Sequence, residues 1–166
     1  AHPDETAAIF IEPIQQLSGV VPPPKEYFPK LKNLCEENKI LMVDDEVATG
    51  FVRSGKMFGI EHWNVEPDIM FLGKPFANGI SMAGIIARKE IMKEETEFNV
   101  VKGGSFAGNL ISCVSALATL KEIESKELVK NSAKVGEHMI KRLKEMSEEH
   151  ELIGDVRGKG LLIGIE

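Results

Sequence analysis

Residues Ile40 to Lys74 read ILMVDDEVATGFVRSGKMFGIEHWNVEPDIMFLGK. Two short apolar runs, Ile40–Val43 and Ile69–Leu72, bracket the stretch, and each is followed by groups suited to chemistry. Asp44, Asp45 and Glu46 follow the first run and Lys74 the second. Continuous apolar runs of this length, bounded by polar or turn-forming residues, predict buried strands of a parallel sheet. Ligands gather beyond the carboxyl ends of such strands, so the acids and the lysine form a candidate site.

Working outward toward the N-terminus, Ala7–Ile11 predicts another buried strand, closed by Glu12-Pro13 and followed by a loop through Gln15 and Gly19. From Lys25 to Asn38, Tyr27, Phe28, Leu31, Leu34 and Cys35 recur at helical spacing, with Pro29 near the start. Strand, helix and strand in succession define a right-handed βαβ unit and hence a parallel sheet. Toward the C-terminus, Ala83–Ala87 lies too close to the preceding strand for a helical crossover, so it is expected to run antiparallel to that strand or to lie on the far side of the sheet. Arg88–Met92 starts a short helix, and Lys102–Gly108 is a glycine-rich loop holding Ser105. Two amphipathic segments follow, Asn109–Glu124 and Glu127–His150, and then two strands, Ile153–Arg157 and Leu161–Ile165, around Gly158-Lys159-Gly160. Small residues at Ser112, Ser115, Ala116 and Ala118 predict close packing of the first helix.

The chain has 166 residues, 43% hydrophobic and 28% charged, with a net charge of −6. Its size suits one ordinary globular core, and no basic stripe interleaved with aromatics points to nucleic acid. No apolar run approaches the roughly 18–20 residues needed to cross a bilayer, so a cytoplasmic protein without a membrane partner is the expectation. Cys35 and Cys113 are far apart, and the four histidines lack ligand spacing, so no metal is expected. The first strand begins within a few residues of Ala1 and the last apolar run reaches Glu166, which reads as a piece cut from a longer protein.

Three chemistries compete for the candidate site. A nucleotide triphosphatase is suggested by Gly50–Lys56, which spells GxxxxGK beside an acidic strand. Met57 stands where magnesium needs a hydroxyl, and the loop follows the acidic strand instead of preceding it. A metal on Asp44, Asp45 and Glu46 fails because neighbours on an extended chain face opposite ways. The third joins a lysine and an acid. At neutral pH only about one lysine in a few thousand is a free amine. Desolvation at the end of a buried strand makes it a nucleophile toward carbonyls, while a carboxylate on the adjacent strand holds a cationic ring nitrogen. Pyridoxal phosphate chemistry needs that pair. Read from spacing alone, an ordinary surface lysine and a loop aspartate stay open beside it.

Five blocks in order, EPIQ (12–15), DDEVATGFVRSGKMFGIEHWNVEPDI (44–69), LGKPFANG (72–79), GGSFAGN (103–109) and VRGKGLLIGIE (156–166), resemble the class III aminotransferases of pyridoxal phosphate fold type I. The resemblance implies an α/β fold: a three-layer sandwich on a mostly parallel sheet. Residues 1–124 would form the latter part of a large cofactor-binding domain, and 125–166 an interdomain helix and the start of a small C-terminal subdomain. It makes Lys74 the lysine that carries pyridoxal 5′-phosphate and moves the substrate proton, and Asp45 the partner of the pyridine nitrogen. Val47 would pack on the ring, Gln15 lie near it, and Ser105 bind the phosphate of a neighbouring subunit in a homodimer. Arg157 would grip the substrate α-carboxylate. The implied activity transfers an amino group from an amino acid or ω-amine to a 2-oxo acid.

Ala48 stands where many members carry a glutamine that contacts the cofactor phenolate, and Ser81 where they carry proline. Leu17 stands where members using ω-amino donors carry a glutamate, so ornithine or 4-aminobutyrate specificity is not implied. The family's own-subunit phosphate turn and the ring-stacking aromatic are not found in the chain, which amounts to about two-fifths of a typical member by resemblance. An aminomutase or a decarboxylating relative keeps the same lysine and aspartate. A fragment acting only as a folded or dimerising module is the reading from a different class.

Overall fold

A computed structural model describes residues 2–92 and 104–166. Strand β1 (Ala8–Ile11), helix α1 (Tyr27–Glu37) and strand β2 (Leu41–Asp45) form the expected βαβ unit, with parallel pairing from Ala8↔Leu41 to Ile11↔Asp44. Pro29 is tolerated because it lies in the first turn of α1, where its missing N–H has no helical acceptor. Strand β3 (Ile69–Leu72) adds in parallel to β2, and β4 (Gly84–Ala87) pairs antiparallel with β3, one of the two arrangements the short connection allows. The sheet order is β1-β2-β3-β4. Strand β2 extends past the apolar run, since Asp44 and Asp45 stand in the ladder opposite Met70 and Phe71. The Glu46 N–H continues the pairing to the Phe71 carbonyl at 3.0 Å.

The register assigns the two sheet faces. Paired residues share a face and neighbours along a strand alternate. Met42 and Asp44 therefore face the same side as Ile9, Ile11 and Met70, where α1 supplies the buried Phe28 and Cys35 and the Gly59–Trp63 turn supplies Ile60 and Trp63. Phe28 and Trp63 pack at 4.9 Å between ring centroids, and the Trp63 indole N–H donates to the Pro24 carbonyl at 3.1 Å. On the opposite face stand Phe10, Val43, Asp45, Phe71 and Ile85. Val43 is buried between Phe10 and Phe71, but Phe10 is 65% exposed and Ile85 64%. Strands β1 to β3 are therefore covered chiefly on one face, and β4 is open on both, with Ile86 53% exposed, whereas the continuous apolar runs predict cover on both faces. Asp68 ties the sheet edge together: it accepts the Met42 N–H at 2.7 Å and pairs with Lys32 at 3.1 Å and with Arg88.

Residues 89–92 are helical, as expected, whereas Lys102 and Gly103 of the predicted glycine-rich loop lie outside the described residues. Helix α2 (Leu110–Ser125) is capped by Asn109, whose Oδ1 accepts the N–H groups of Ile111 at 3.0 Å and Ser112 at 3.2 Å. Its small residues do allow a close approach. The Ser115 hydroxyl donates to the Ala77 carbonyl at 2.7 Å and that of Ser112 to the Ser81 carbonyl at 3.1 Å, so α2 is fastened to the segment that follows β3. Asn109→Ala is expected to cost about 1 kcal/mol of stability, read by chemical denaturation. An unchanged midpoint would remove the cap from the account.

Helix α3 (Leu128–Glu149) leads to a separate antiparallel hairpin, β5 (Val156–Lys159) and β6 (Leu162–Ile165). The first of these strands starts later than predicted, because Ile153 still turns back onto the His150 carbonyl. Glycine decides how the hairpin seats. A Cβ on Gly136 of α3 would fall 2.0 Å from the Gly160 carbonyl oxygen, and one on Gly160, at φ +55°, would fall 2.3 Å from the Ser54 carbonyl carbon. Helix, hairpin turn and the loop after β2 thus meet backbone to backbone.

Candidate functional site

Asp45 and Lys74 emerge at the carboxyl ends of neighbouring parallel strands, where the α/β rule places ligands. Asp45 lies on the open face of the sheet, half-buried, and its Oδ1 accepts the Val47 N–H at 3.0 Å. Asp44 points the other way into the α1 side. Adjacent acids on one strand therefore end in opposite environments, and only Asp45 is available to a ligand. Val47 packs toward Gly73: a Cβ built there would sit 3.4 Å from the nearer valine methyl, an ordinary contact. This places an apolar side chain one residue before Lys74.

Lys74 opens the turn Lys74–Ala77 with φ +45°, the left-handed region that a side chain rarely adopts. Such strain, of order 1–3 kcal/mol, persists where surrounding structure enforces it and collects at functional sites. Pro75 and the α2 contact to Ala77 supply that enforcement. The side chain is exposed, in contrast to the desolvated lysine expected at the end of a buried strand, because the sheet face beside it is uncovered. A cleft of about 780 Å³ joins Lys74 to Ser105, Phe106, Asn109 and Cys113. Ser105 is exposed in the turn before α2 and shares this cleft.

Gln15 stands at the base of the loop after β1. Its backbone pairs with Val21 and it is exposed. Its neighbour Gln16, which no motif singled out, accepts from the Lys74 Nζ through Oε1 at 3.1 Å. A smaller cavity of about 360 Å³ holds both, together with Ala48, Arg53 and Leu161 to Ile163 from the hairpin.

Arg157 lies on β5 with its Nε and Nη1 both engaged. Its Nε donates to the Gly19 carbonyl at 2.8 Å, and Nη1 donates to Asp155 at 2.5 Å and to Glu166 at 2.8 Å. The Arg157 guanidinium holds the Asp155 carboxyl below the usual carboxylate range. The loop after β1 therefore touches both distant candidates, Lys74 through Gln16 and Arg157 through Gly19.

On the far side of β2, Asp44 is fully buried, and its carboxyl oxygens have no hydrogen-bond partner among the described residues. Burial, reinforced by the neighbouring Glu46 and Asp45 carboxyls, pushes its pKa up to about 9. Glu46 is raised too, by burial, but it accepts the Thr49 hydroxyl and, at 2.8 Å, the Ile60 N–H. Glu46 thus braces the loop after β2, and no group of three or more metal-binding side chains forms among the described residues.

An amine, a carboxylate and an apolar side chain at adjacent strand ends fit a cationic heteroaromatic aldehyde. The amine suits its carbonyl, the acid its ring nitrogen, and Val47 its face. The profile of the family Aminotransferase class-III matches residues 1–166, and the chain belongs to that family. It is 48% identical to the alanine/serine racemase of Pyrococcus horikoshii, over 99% of this chain and 34% of the relative. It is 38% identical to the 5-aminovalerate aminotransferase of Pseudomonas putida, over the whole of this chain and 39% of the relative. A transaminase from the marine bacterium Virgibacillus superposes with a TM-score of 0.91 at 37% identity, over 96% of this chain and 37% of that one. The chain thus spans between a third and two-fifths of the length of these proteins, and its fold is that of part of a fold-type I transaminase.

Proposed function

We propose that this chain is the lysine- and acid-bearing part of a pyridoxal 5′-phosphate enzyme that moves an amino group from an amino acid or ω-amine to a 2-oxo acid. The observation that carries the reading is the emergence of Asp45 and Lys74 from adjacent parallel strands, with the Val47 side chain beside Gly73. When bound, pyridoxal phosphate supplies an electron sink for the pair left at the substrate α-carbon. The Asp45 carboxylate keeps the ring nitrogen protonated. The Lys74 Nζ, as a free amine, takes the α-proton and delivers it again, and Val47 holds the ring face. Gln15 lies at the edge of the ring site. Arg157 binds the substrate carboxylate in a bidentate fork, and to do so it exchanges its contacts with Asp155 and Glu166.

Residues 1–124 belong in this reading to the large domain and 125–166 to the interdomain helix and small subdomain. Ser105 serves the cofactor phosphate of a partner subunit in a homodimer. The exposed apolar faces, Phe10 and Ile85 on the sheet and Leu110, Val114 and Leu117 on α2, suit burial in such a larger assembly. Among the described residues no helix is long and apolar enough to cross a membrane, and a cytoplasmic location belongs to the same proposal.

Racemisation of an amino acid is a second reading, favoured by the 48% identity to the alanine/serine racemase against 38% to the aminotransferase. It uses the same proton transfer at the α-carbon, with the proton returned to the opposite face. The test supplies the full-length protein, loaded with pyridoxal phosphate, with single L-amino acids, with and without a 2-oxo acid. Amino transfer produces a new amino acid only when the oxo acid is present. Formation of the D-enantiomer without any oxo acid selects racemisation.

A further inference from the structure

We infer that Gln16, which lies outside every motif read from the sequence, is a positioning residue for the Lys74 amine. The inference rests on the reading of Lys74 as the reactive amine. Four rotatable bonds leave an exposed lysine amine poorly located, and here it is held by the Gln16 Oε1 at 3.1 Å. Gln16 can do this because its own backbone is fixed. Gln15 and Val21 exchange both backbone hydrogen bonds, at 3.3 and 3.1 Å, and close the loop at its base. Within the loop the Gln16 carbonyl accepts the N–H groups of Gly19 at 3.2 Å and Val20 at 3.1 Å, while its own N–H donates to Glu12 at 3.1 Å. Gly19 and Val20 take φ of +97° and +57° to make that double contact. The far end of the loop is anchored by Arg157 on the Gly19 carbonyl.

The chemistry of the side chain matters as much as its place. An amide oxygen accepts a hydrogen bond without carrying a charge, so it locates the amine and favours the ammonium only weakly. A carboxylate at the same point would hold the proton on nitrogen and oppose attack on a carbonyl. The other charged or titratable groups around Lys74 are Arg53 in the shared small cavity, Asp45 at the end of the neighbouring strand and Cys113 across the larger cleft. All three residues are retained in the Gln16 variants.

The experiment uses the cofactor-free full-length protein and trace acetylation with acetic anhydride. The Lys74 nitrogen forms the amide bond, acetate leaves, and the ammonium proton passes to solvent. Peptide mass mapping at a series of pH values gives the midpoint at which Lys74 becomes reactive. Gln16→Glu is expected to raise that midpoint by about one pH unit or more. Gln16→Leu is expected to lower it by a smaller amount, with circular dichroism unchanged in both. One midpoint shared by all three proteins overturns the inference, even where pyridoxal phosphate still attaches to Lys74. The ordered shift together with failure of pyridoxal phosphate to attach to Lys74 overturns the cofactor reading and leaves the positioning of the amine standing.

Discussion

Replacing Lys74 by alanine in the full-length protein is expected to abolish covalent attachment of pyridoxal phosphate at this site and to cut turnover by at least 10²–10⁴-fold, roughly what positioned acid–base catalysis alone contributes. Lys74→Arg should fare no better, because a guanidinium stays protonated and neither attacks a carbonyl nor takes a proton at neutral pH. The left-handed φ of +45° at residue 74 makes the argument specific to the amine and not to folding. A lysine that served only structure would be better replaced by glycine there. The measurement is a single-turnover assay with a fixed amino donor, repeated with a small primary amine added. Recovery of part of the rate in Lys74→Ala by the added amine identifies proton transfer as the lost step. Turnover of Lys74→Ala within tenfold of the unmodified enzyme would contradict the assignment.

The largest effect on stability is expected at Asp44. Its pKa lies at about 9 in the folded chain, against about 3.9 for an unperturbed aspartate. The folded state therefore keeps a proton that the unfolded state releases, so stability falls as pH rises from about 4 toward about 9. At pH 7 the accumulated cost is on the order of 4 kcal/mol, at 1.36 kcal/mol for each unit between the unfolded pKa and the working pH. Asp44→Asn keeps the shape and removes the titration. It should match the unmodified protein near pH 4 and exceed it increasingly at neutral pH, when unfolding is followed in denaturant across that range. Parallel pH profiles for the two proteins would show that Asp44 is hydrated or paired in solution. Nothing in the proposed chemistry needs Asp44, so activity should survive the change.

Much of the architecture is legible in the residues because it follows from local rules. The apolar runs mark β1 to β3, their order with α1 demands a parallel unit, and the brevity of the link to Ala83–Ala87 leaves two places for that strand, of which the structure takes the antiparallel one. Alternation along β2 already separates Asp44 from Asp45. The motif blocks single out Lys74, Asp45, Val47, Ser105 and Arg157. Structure and similarity then place them in a transaminase-type fold. The readings that changed depend on contacts distant in sequence. The exposed face at Phe10 and Ile85 depends on what covers the sheet, which the runs themselves do not state. Gln16 reaches Lys74 only through the turn that Gly19 and Val20 impose, across 58 residues of separation. The triple approach of Gly136, Gly160 and Ser54 leaves a mark in composition but not in spacing. The resemblance offers Arg157 to a substrate carboxylate, whereas its carboxylate partners here are Asp155 and Glu166 of the same chain.

Everything proposed for this chain turns on Lys74 as the residue on which the cofactor would be carried. The most direct measurement adds pyridoxal 5′-phosphate to the full-length protein, fixes the adduct with borohydride and maps the modified peptide by mass. One stoichiometric label on Lys74, absent in Lys74→Ala, is the expected result. Labelling spread over surface lysines, or confined to a different one, would contradict it.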